Sequence, residues 1–330
     1  MFEPESPAAS WSERSRTKTA RGYGRWLSWL FGKELLDLEQ SPDDRVTEPR
    51  GKTYIVDLVG TSNGGYTVVC RIQELYDAIR VMAPDRDWSW LRRIQNALRA
   101  RAVPVRDKRA RMQPAGELSK LGRALMQSAE TALDKPLLAR AVRYRDGMMI
   151  ALLAHRPLRG ANFGAITLGV HLIPQRHEYA LSFRAEEVKS RRPIITAVPA
   201  TLVPALTRYI EYYRPLLLTR GGRQDPASCD ALWVSETGVA LNPLSIPNRI
   251  KKHTKAAFGK HICPHLFRDC VATTIAIDDP THVRGIISIL GHSTLAISEK
   301  HYNQARGLDA SRRYQQVIAE LESSLAENGV

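Results

Sequence analysis

Pro264-His-Leu-Phe-Arg-Asp269, followed by Ile289-Leu-Gly-His-Ser-Thr-Leu295 and then by His301-Tyr302, decides how this chain is read. Proline suits the first turn of a helix, so Pro264 marks where one begins. On that helix His265 and Arg268 stand three residues apart and share a face, so both can address one anion. In-line attack on a phosphodiester raises the charge on its two non-bridging oxygens, and preorganised cationic donors lower that barrier. Arginine fits the task because its planar fork gives two parallel hydrogen bonds to phosphate, where lysine offers a point charge. A phenol can attack phosphorus directly and store the bond energy in an ester, so resealing needs no ATP. The chain accordingly carries no G-x-x-x-x-G-K-[ST] loop. His-x-x-Arg alone is a weak pattern; followed by Leu290-Gly-His-Ser293 and Tyr302 it is specific.

These boxes resemble those of the tyrosine recombinase (phage integrase) family, whose pattern is an early Arg, a Lys on a hairpin, His-x-x-Arg, a later His or Trp, and Tyr. Leu153-Ala-His-Arg-Pro-Leu-Arg-Gly-Ala-Asn-Phe163 looks like the helix that carries the first Arg. Arg159 takes the catalytic position and Arg156 competes for it. Phe163 and Ile166 continue the family's apolar spacing after Arg159 and favour it. Asn162 stands where an acidic residue is usual. Tyr179–Arg184 and Ile194–Val198 read as paired strands, and Lys189 is the lysine in the charged turn between them, with Arg184, Arg191 and Arg192 nearby. The resemblance thus implies a catalytic set of Arg159, Lys189, His265, Arg268, His292 and Tyr302. Tyr302 lies ten residues after His292 where nine is common, and His301 occupies the ninth place. A histidine nucleophile would give a labile phosphoramide, which favours Tyr302.

What the resemblance implies for fold is a mainly α chain with a small β-hairpin or sheet (α+β). A helical core-binding domain and a catalytic domain would form a C-shaped DNA clamp. For function it implies a site-specific DNA recombinase or integrase of a mobile genetic element, working through a 3′-phosphotyrosine without metal, ATP or other cofactor. Its partners would be double-stranded DNA, further copies of itself in a tetramer on DNA, and accessory DNA-bending proteins. Two alternatives share the motifs: a type IB topoisomerase-like enzyme acting on one duplex, and a DNA-binding relative with reduced chemistry.

Composition agrees with a polyanionic partner. The formal charge is +14 over 330 residues, and such an excess favours DNA affinity through counterion release. The length accommodates two domains. No run of about 18 apolar residues appears and the first residues lack a basic-then-apolar signal, so a soluble, cytoplasmic protein without membrane contact is expected. Cys70, Cys229, Cys263 and Cys270 lack framework spacing and read as reduced thiols, with Cys70, Cys263 and Cys270 as small core residues. His261, Cys263, His265 and Cys270 crowd together, yet their spacing matches no zinc finger, and no metal site is assigned.

Along the chain, residues 1–10 read as a flexible N-terminus, 11–133 as the helical DNA-binding domain and 134–330 as the catalytic domain with a tail helix over Asp309–Leu325. Tyr23, Trp26, Leu27 and Leu30 fall on one helical face, with Arg14, Arg16, Lys18, Arg21 and Arg25 available to phosphates. Ser41–Asp44 and Glu48–Gly51 read as loops, and helices are expected over Lys52–Leu58, Tyr66–Val81, Ala115–Leu133, Leu202–Leu218 and Ile246–Phe258. Ala231–Val234 reads as a short strand. The run from Trp88 to Met112 is one-sidedly basic and supplies candidate DNA contacts in Arg92, Arg93, Arg99, Arg101, Arg106, Lys108 and Arg109. Arg249, Lys251 and Lys252 form a second basic stripe just before the His265 box.

Overall fold

The computed structural model describes residues 6–105, 107–219 and 229–278, with side chains up to Ala276. Its contacts divide the chain into two compact units between Asp107 and Lys108. The architecture is mainly helical with one three-stranded antiparallel sheet.

The first unit is helical throughout its regular elements. Helix α1 (Glu13–Gly32) starts at Ser12, whose hydroxyl accepts the Ser15 N–H. It packs on α4 (Gly65–Met82), which also meets α5 (Ser89–Arg101). Trp26, Leu30, Ile72, Leu75, Ile79, Trp88 and Leu91 form the core. The helices come so close at Gly22 that an added Cβ would lie 2.4 Å from Cβ of Glu74. The two stretches expected to be loops are α2 (Pro42–Arg45) and the start of α3 (Glu48–Gly60). In both, proline stands in the first turn, where its missing N–H has no intrahelical partner to lose. Cys70 is exposed on α4 rather than in the core, because the buried face is set by Val68, Val69, Ile72 and Leu75.

The second unit is organised around α7 (Leu137–His155), almost wholly buried from Tyr144 to Ala154. Helix α6 (Ala115–Thr131) runs against it, and Gly122 and Gly147 meet at the crossing. The sequence reading groups α6 with the first domain, whereas its packing on α7 puts it in the second unit. After the short helix α8 (Gly160–Gly164), strands β1 (Leu172–Gln175), β2 (Glu178–Phe183) and β3 (Ile194–Ala197) form a meander. Leu172 pairs with Leu181, and Leu181 with Thr196. Leu172, Leu181 and Phe183 turn their side chains into the core. Leu202–Leu218 is a continuous helical run, as expected, with a local change of pitch. It comprises a 3₁₀ turn, α9 (Val203–Arg208), a π turn over Tyr209–Tyr213, and α10 (Arg214–Thr219). Pro215 cannot donate to the carbonyl four residues back, and the wider turn accommodates it. Ala231–Val234 makes isolated bridges to Thr167 and Ala240 instead of a full ladder. Helices α11 (Ile246–Phe258) and α12 (Pro264–Asp278) follow. No described helix is long and apolar enough to cross a membrane.

Candidate active site

Helix α12 begins at Pro264, as the sequence predicts, and carries His265 and Arg268 in its first turns. Leu266, Phe267 and Cys270 bury its inner face, leaving His265 exposed and drawing Arg268 inward. Residues 108–115 also hold the helix. The Gln113 N–H meets the Cys270 sulfur at 3.5 Å, the Ala115 N–H donates to Thr274 Oγ1 at 3.0 Å, and Lys108 ion-pairs with Asp269.

The two contenders for the early arginine stand in different surroundings. Arg156 caps the end of α7, and its guanidinium donates to the carbonyls of Ala197 (2.9 Å) and His155 (3.0 Å). It therefore fastens β3 to the helix end. Arg159 precedes α8 as its N-cap residue, in extended conformation and partly exposed, rather than lying within a helix. Pro157 disfavours helical backbone at Arg156, and the helix ends there. Arg268 Nη1 donates to the Pro157 carbonyl at 2.6 Å, joining α12 to this helix end.

The electrostatics bear the mark of two cations held together. Burial, reinforced by the Arg159 charge and opposed by the Asp269 carboxylate, pushes the Arg268 guanidinium down to about 10. The His265 imidazole is held below its ordinary value by desolvation. Asp269 opposes this, while Lys108, Arg268 and Arg159 reinforce it. A neutral His265 beside two guanidiniums at neutral pH offers a proton acceptor next to an anion cradle.

Lys189 is exposed in the turn between β2 and β3, next to Val188, which is buried in the core. Asn162, at the position where the resemblance leads one to expect an acidic residue, is bonded to the Lys189 turn. Its amide donates to the Glu187 carbonyl at 2.9 Å and ties α8 to the Lys189 turn. His292, His301 and Tyr302 lie outside the described residues, as do Arg106 and the expected tail helix.

The basic residues assigned to DNA separate into different environments. Arg92, Arg93, Arg99 and Arg101 are exposed on α5, opposite buried Leu91 and Gln95. The Arg92 guanidinium lies 5.5 Å from the Tyr76 ring centre. Arg109 is exposed in a 3₁₀ turn over Arg109–Arg111, and Lys252 is exposed on α11, with Lys251 partly covered. Arg249 faces inward, 3.4 Å from Asp146 and 3.8 Å from Glu236. Asp146 also accepts from Arg145 and pairs with His253 at 3.0 Å, a cluster that no local sequence signal announces. On α1, Arg25 and Lys18 reach buried Glu74, while Arg14 and Arg21 line the same open cleft. Among the described residues no three His, Cys, Asp or Glu side chains are grouped to hold a metal.

No family model matches the chain. The tyrosine recombinase XerC of Alcanivorax borkumensis is 30% identical over 100 residues, covering 29% of this chain and 30% of that protein's length. Among solved structures, the XerH site-specific recombinase bound to palindromic difH substrate, in a post-cleavage complex, matches with a TM-score of 0.56. The identity is 13%, over 94% of this chain and 79% of that one. The Tn1549 transposon integrase in complex with transposon right end DNA matches with a TM-score of 0.54 at 14% identity, over 92% and 95% of the two chains. The structural likenesses give the tyrosine recombinase fold. The sequence match, over a 100-residue stretch, is likewise to a tyrosine recombinase.

Proposed function

We propose that this protein is a site-specific DNA strand transferase that cuts and rejoins DNA through a 3′-phosphotyrosine on Tyr302. The observation that carries the reading is the hydrogen bond from buried Arg268 to the Pro157 carbonyl, two residues before Arg159, which keeps two guanidiniums within electrostatic reach of each other, where an anion would offset their repulsion. In this scheme the two guanidiniums hold the non-bridging oxygens of the scissile phosphate, and His292 donates to one of them. The Tyr302 oxygen attacks phosphorus as His265 accepts the phenol proton. The bond to the 5′-oxygen breaks, and Lys189 gives that oxygen a proton. A 5′-hydroxyl of the partner strand then attacks the phosphotyrosine, releasing the phenol and sealing the new strand.

The solved relatives XerH and the Tn1549 integrase are described with DNA bound, which supports double-stranded DNA as the substrate here. Exposed Arg92, Arg93, Arg99 and Arg101 in the first unit suit backbone contacts, so the unit that ends at Asp107 would supply a DNA-binding arm and the unit that begins at Lys108 the chemistry. Closure around the duplex, assembly as a tetramer and help from DNA-bending proteins belong to the same proposal, as does action in the cytoplasm.

The test is to incubate the wild-type protein and Tyr302→Phe with nicked duplexes tiling the DNA around its gene, without metal or ATP, and to look for a denaturant-resistant adduct. An adduct from the wild type alone supports the reading. Binding without any adduct favours a DNA-binding relative that has lost the chemistry, and supercoil relaxation without site dependence favours a topoisomerase.

A further inference from the structure

The turn from Arg184 to Pro193 is short of apolar anchors. Arg184, Glu186, Glu187, Lys189, Arg191 and Arg192 are exposed, and Val188 alone is buried to the core. A lysine on such a turn has a four-carbon stem and a mobile base, and positioning it costs conformational entropy unless the backbone beneath is held. Here one residue, Glu187, is held through its backbone carbonyl and both of its carboxylate oxygens.

The Asn162 amide donates to the Glu187 carbonyl at 2.9 Å; Asn162 is itself buried, three residues beyond Arg159. Glu187 Oε2 accepts the Arg184 N–H at 2.7 Å and closes the 3₁₀ turn over Ala185–Glu187. Glu187 Oε1 lies 3.0 Å from His171 Nε2. His171 Nδ1 accepts the Thr167 N–H at 3.1 Å, which leaves the ring proton on Nε2, pointing at the carboxylate. The His171 ring also stacks on Phe183 at the end of β2, with centroids 4.9 Å apart. Glu187 thus joins the segment before β1, the end of β2 and helix α8 at a point two residues from Lys189.

We propose that Glu187, oriented by His171 and Asn162, is a positioning residue that fixes the turn from which Lys189 delivers its proton to the leaving 5′-oxygen. The inference rests on the strand-transfer reading and on Lys189 as its general acid. It predicts a defect confined to leaving-group departure, which a purely structural role would not produce.

The test uses the nicked duplex that gives an adduct with the wild type, alongside the same duplex with sulfur in place of the bridging 5′-oxygen. A thiolate leaves without being protonated, so a defect in proton delivery disappears on the sulfur substrate. Glu187→Ala is expected to slow adduct formation on ordinary DNA about tenfold or more, within the ~10²–10⁴-fold that general acid catalysis contributes. On the sulfur substrate it is expected to stay within about twofold of the wild type, with DNA affinity unchanged; Lys189→Ala shows the same pattern more strongly. Equal slowing on both substrates, or no slowing on either, overturns the positioning role. Should Glu187→Ala fail to fold, His171→Gln removes the ring partner, leaves the backbone anchor and is read the same way. Absence of adduct from the wild type on both substrates overturns the strand-transfer reading itself, and a failure at that level is distinguished from one seen only in the variants.

Discussion

Arg268 Nη1 donates to the carbonyl oxygen of Pro157 at 2.6 Å, a hydrogen bond between residues 111 apart in sequence. It fixes the arginine of the His265 box to the non-helical link between α7 and α8 that presents Arg159. One nitrogen of the guanidinium is thereby committed to the protein, and the planar group is held in one orientation. Arg268 is buried and lies within electrostatic reach of Arg159, so this bond offsets part of the cost of keeping two like charges together.

Arg268→Lys and Arg268→Ala are both expected to lower the rate of covalent adduct formation by about 10²–10³-fold, because neither keeps both the carbonyl bond and a two-pronged grip on phosphate. Their effect on stability is expected to be modest. Alanine leaves the Pro157 carbonyl without its donor, at a cost of ~1–3 kcal/mol, but also removes the repulsion with Arg159. Single-turnover adduct assays beside thermal melts check this; near-normal cleavage in either variant sinks the phosphate-clamp assignment.

The legible part of this site was the part encoded locally. Pro264, His265 and Arg268 lie within five residues of one another, and helical geometry alone puts the last two on one face. Between Arg156 and Arg159, spacing favours Arg159 only indirectly, through the apolar positions Phe163 and Ile166 that follow it. Their difference rests on the carbonyls of Ala197 and His155 that Arg156 occupies, one of them 41 residues away. Arg249 looked like its neighbours Lys251 and Lys252 because a run of charge does not say which member faces a carboxylate on another helix. In the first unit, Pro42 and Pro49 read as breakers where they are helix starters, since proline ends one helix and opens the next by the same loss of an N–H. Glu187 gave no signal at all, because its partners His171 and Asn162 come from separate segments.

Acid is expected to weaken the second unit through its histidines. Desolvation lowers His155, helped by the Arg123 and Arg156 charges, and desolvation with nearby cations lowers His265. The unfolded chain protonates these rings near the ordinary value of 6.5, whereas the folded chain resists until lower pH. The unfolded state therefore binds more protons just below that value, and stability falls as pH drops through it. Urea midpoints measured between about pH 5 and 7 should show this slope, and His155→Gln should flatten it. A phosphodiester bound beside His265 reverses the local field and raises its pKa, which an imidazole titration by NMR with and without DNA would detect; an unmoved titration argues against phosphate beside His265.

The crossing of α6 and α7 depends on two glycines. A Cβ on Gly147 would lie 2.7 Å from the Gly122 carbonyl oxygen, and one on Gly122 would lie 2.6 Å from the Ala151 nitrogen. Backbone cannot move aside as a flexible side chain can, so Gly147→Val is expected to cost ~3 kcal/mol or more, at or beyond the upper end for overpacking. Gly24 in α1 has open space around its Cβ position, and Gly24→Ala should stabilise the first unit by about 0.5–1 kcal/mol through helix propensity. Thermal or denaturant unfolding of the two variants checks both signs.

Asp146 gives the sharpest separation between structural and DNA-facing cations. Burial pushes its pKa up, yet the His253 hydrogen bond and the Arg145 and Arg249 charges outweigh this and hold the carboxyl below its ordinary range. The group is therefore ionised in the fold, and its contribution is present above the unfolded value of 3.8 and lost as pH falls through the folded one. Asp146→Asn leaves Arg145 buried beside an uncharged partner and is expected to destabilise by ~3–5 kcal/mol. Arg249→Gln should likewise lower the melting temperature, with little change in the salt dependence of DNA binding. Lys252, exposed on the same helix, should behave in the opposite way. Lys252→Gln leaves the melt unchanged and reduces the slope of log Kd against log salt by about 0.9, one phosphate contact. Should Arg249→Gln lose salt dependence and keep its melting temperature, Arg249 belongs to the DNA surface and the inward network is of no energetic consequence.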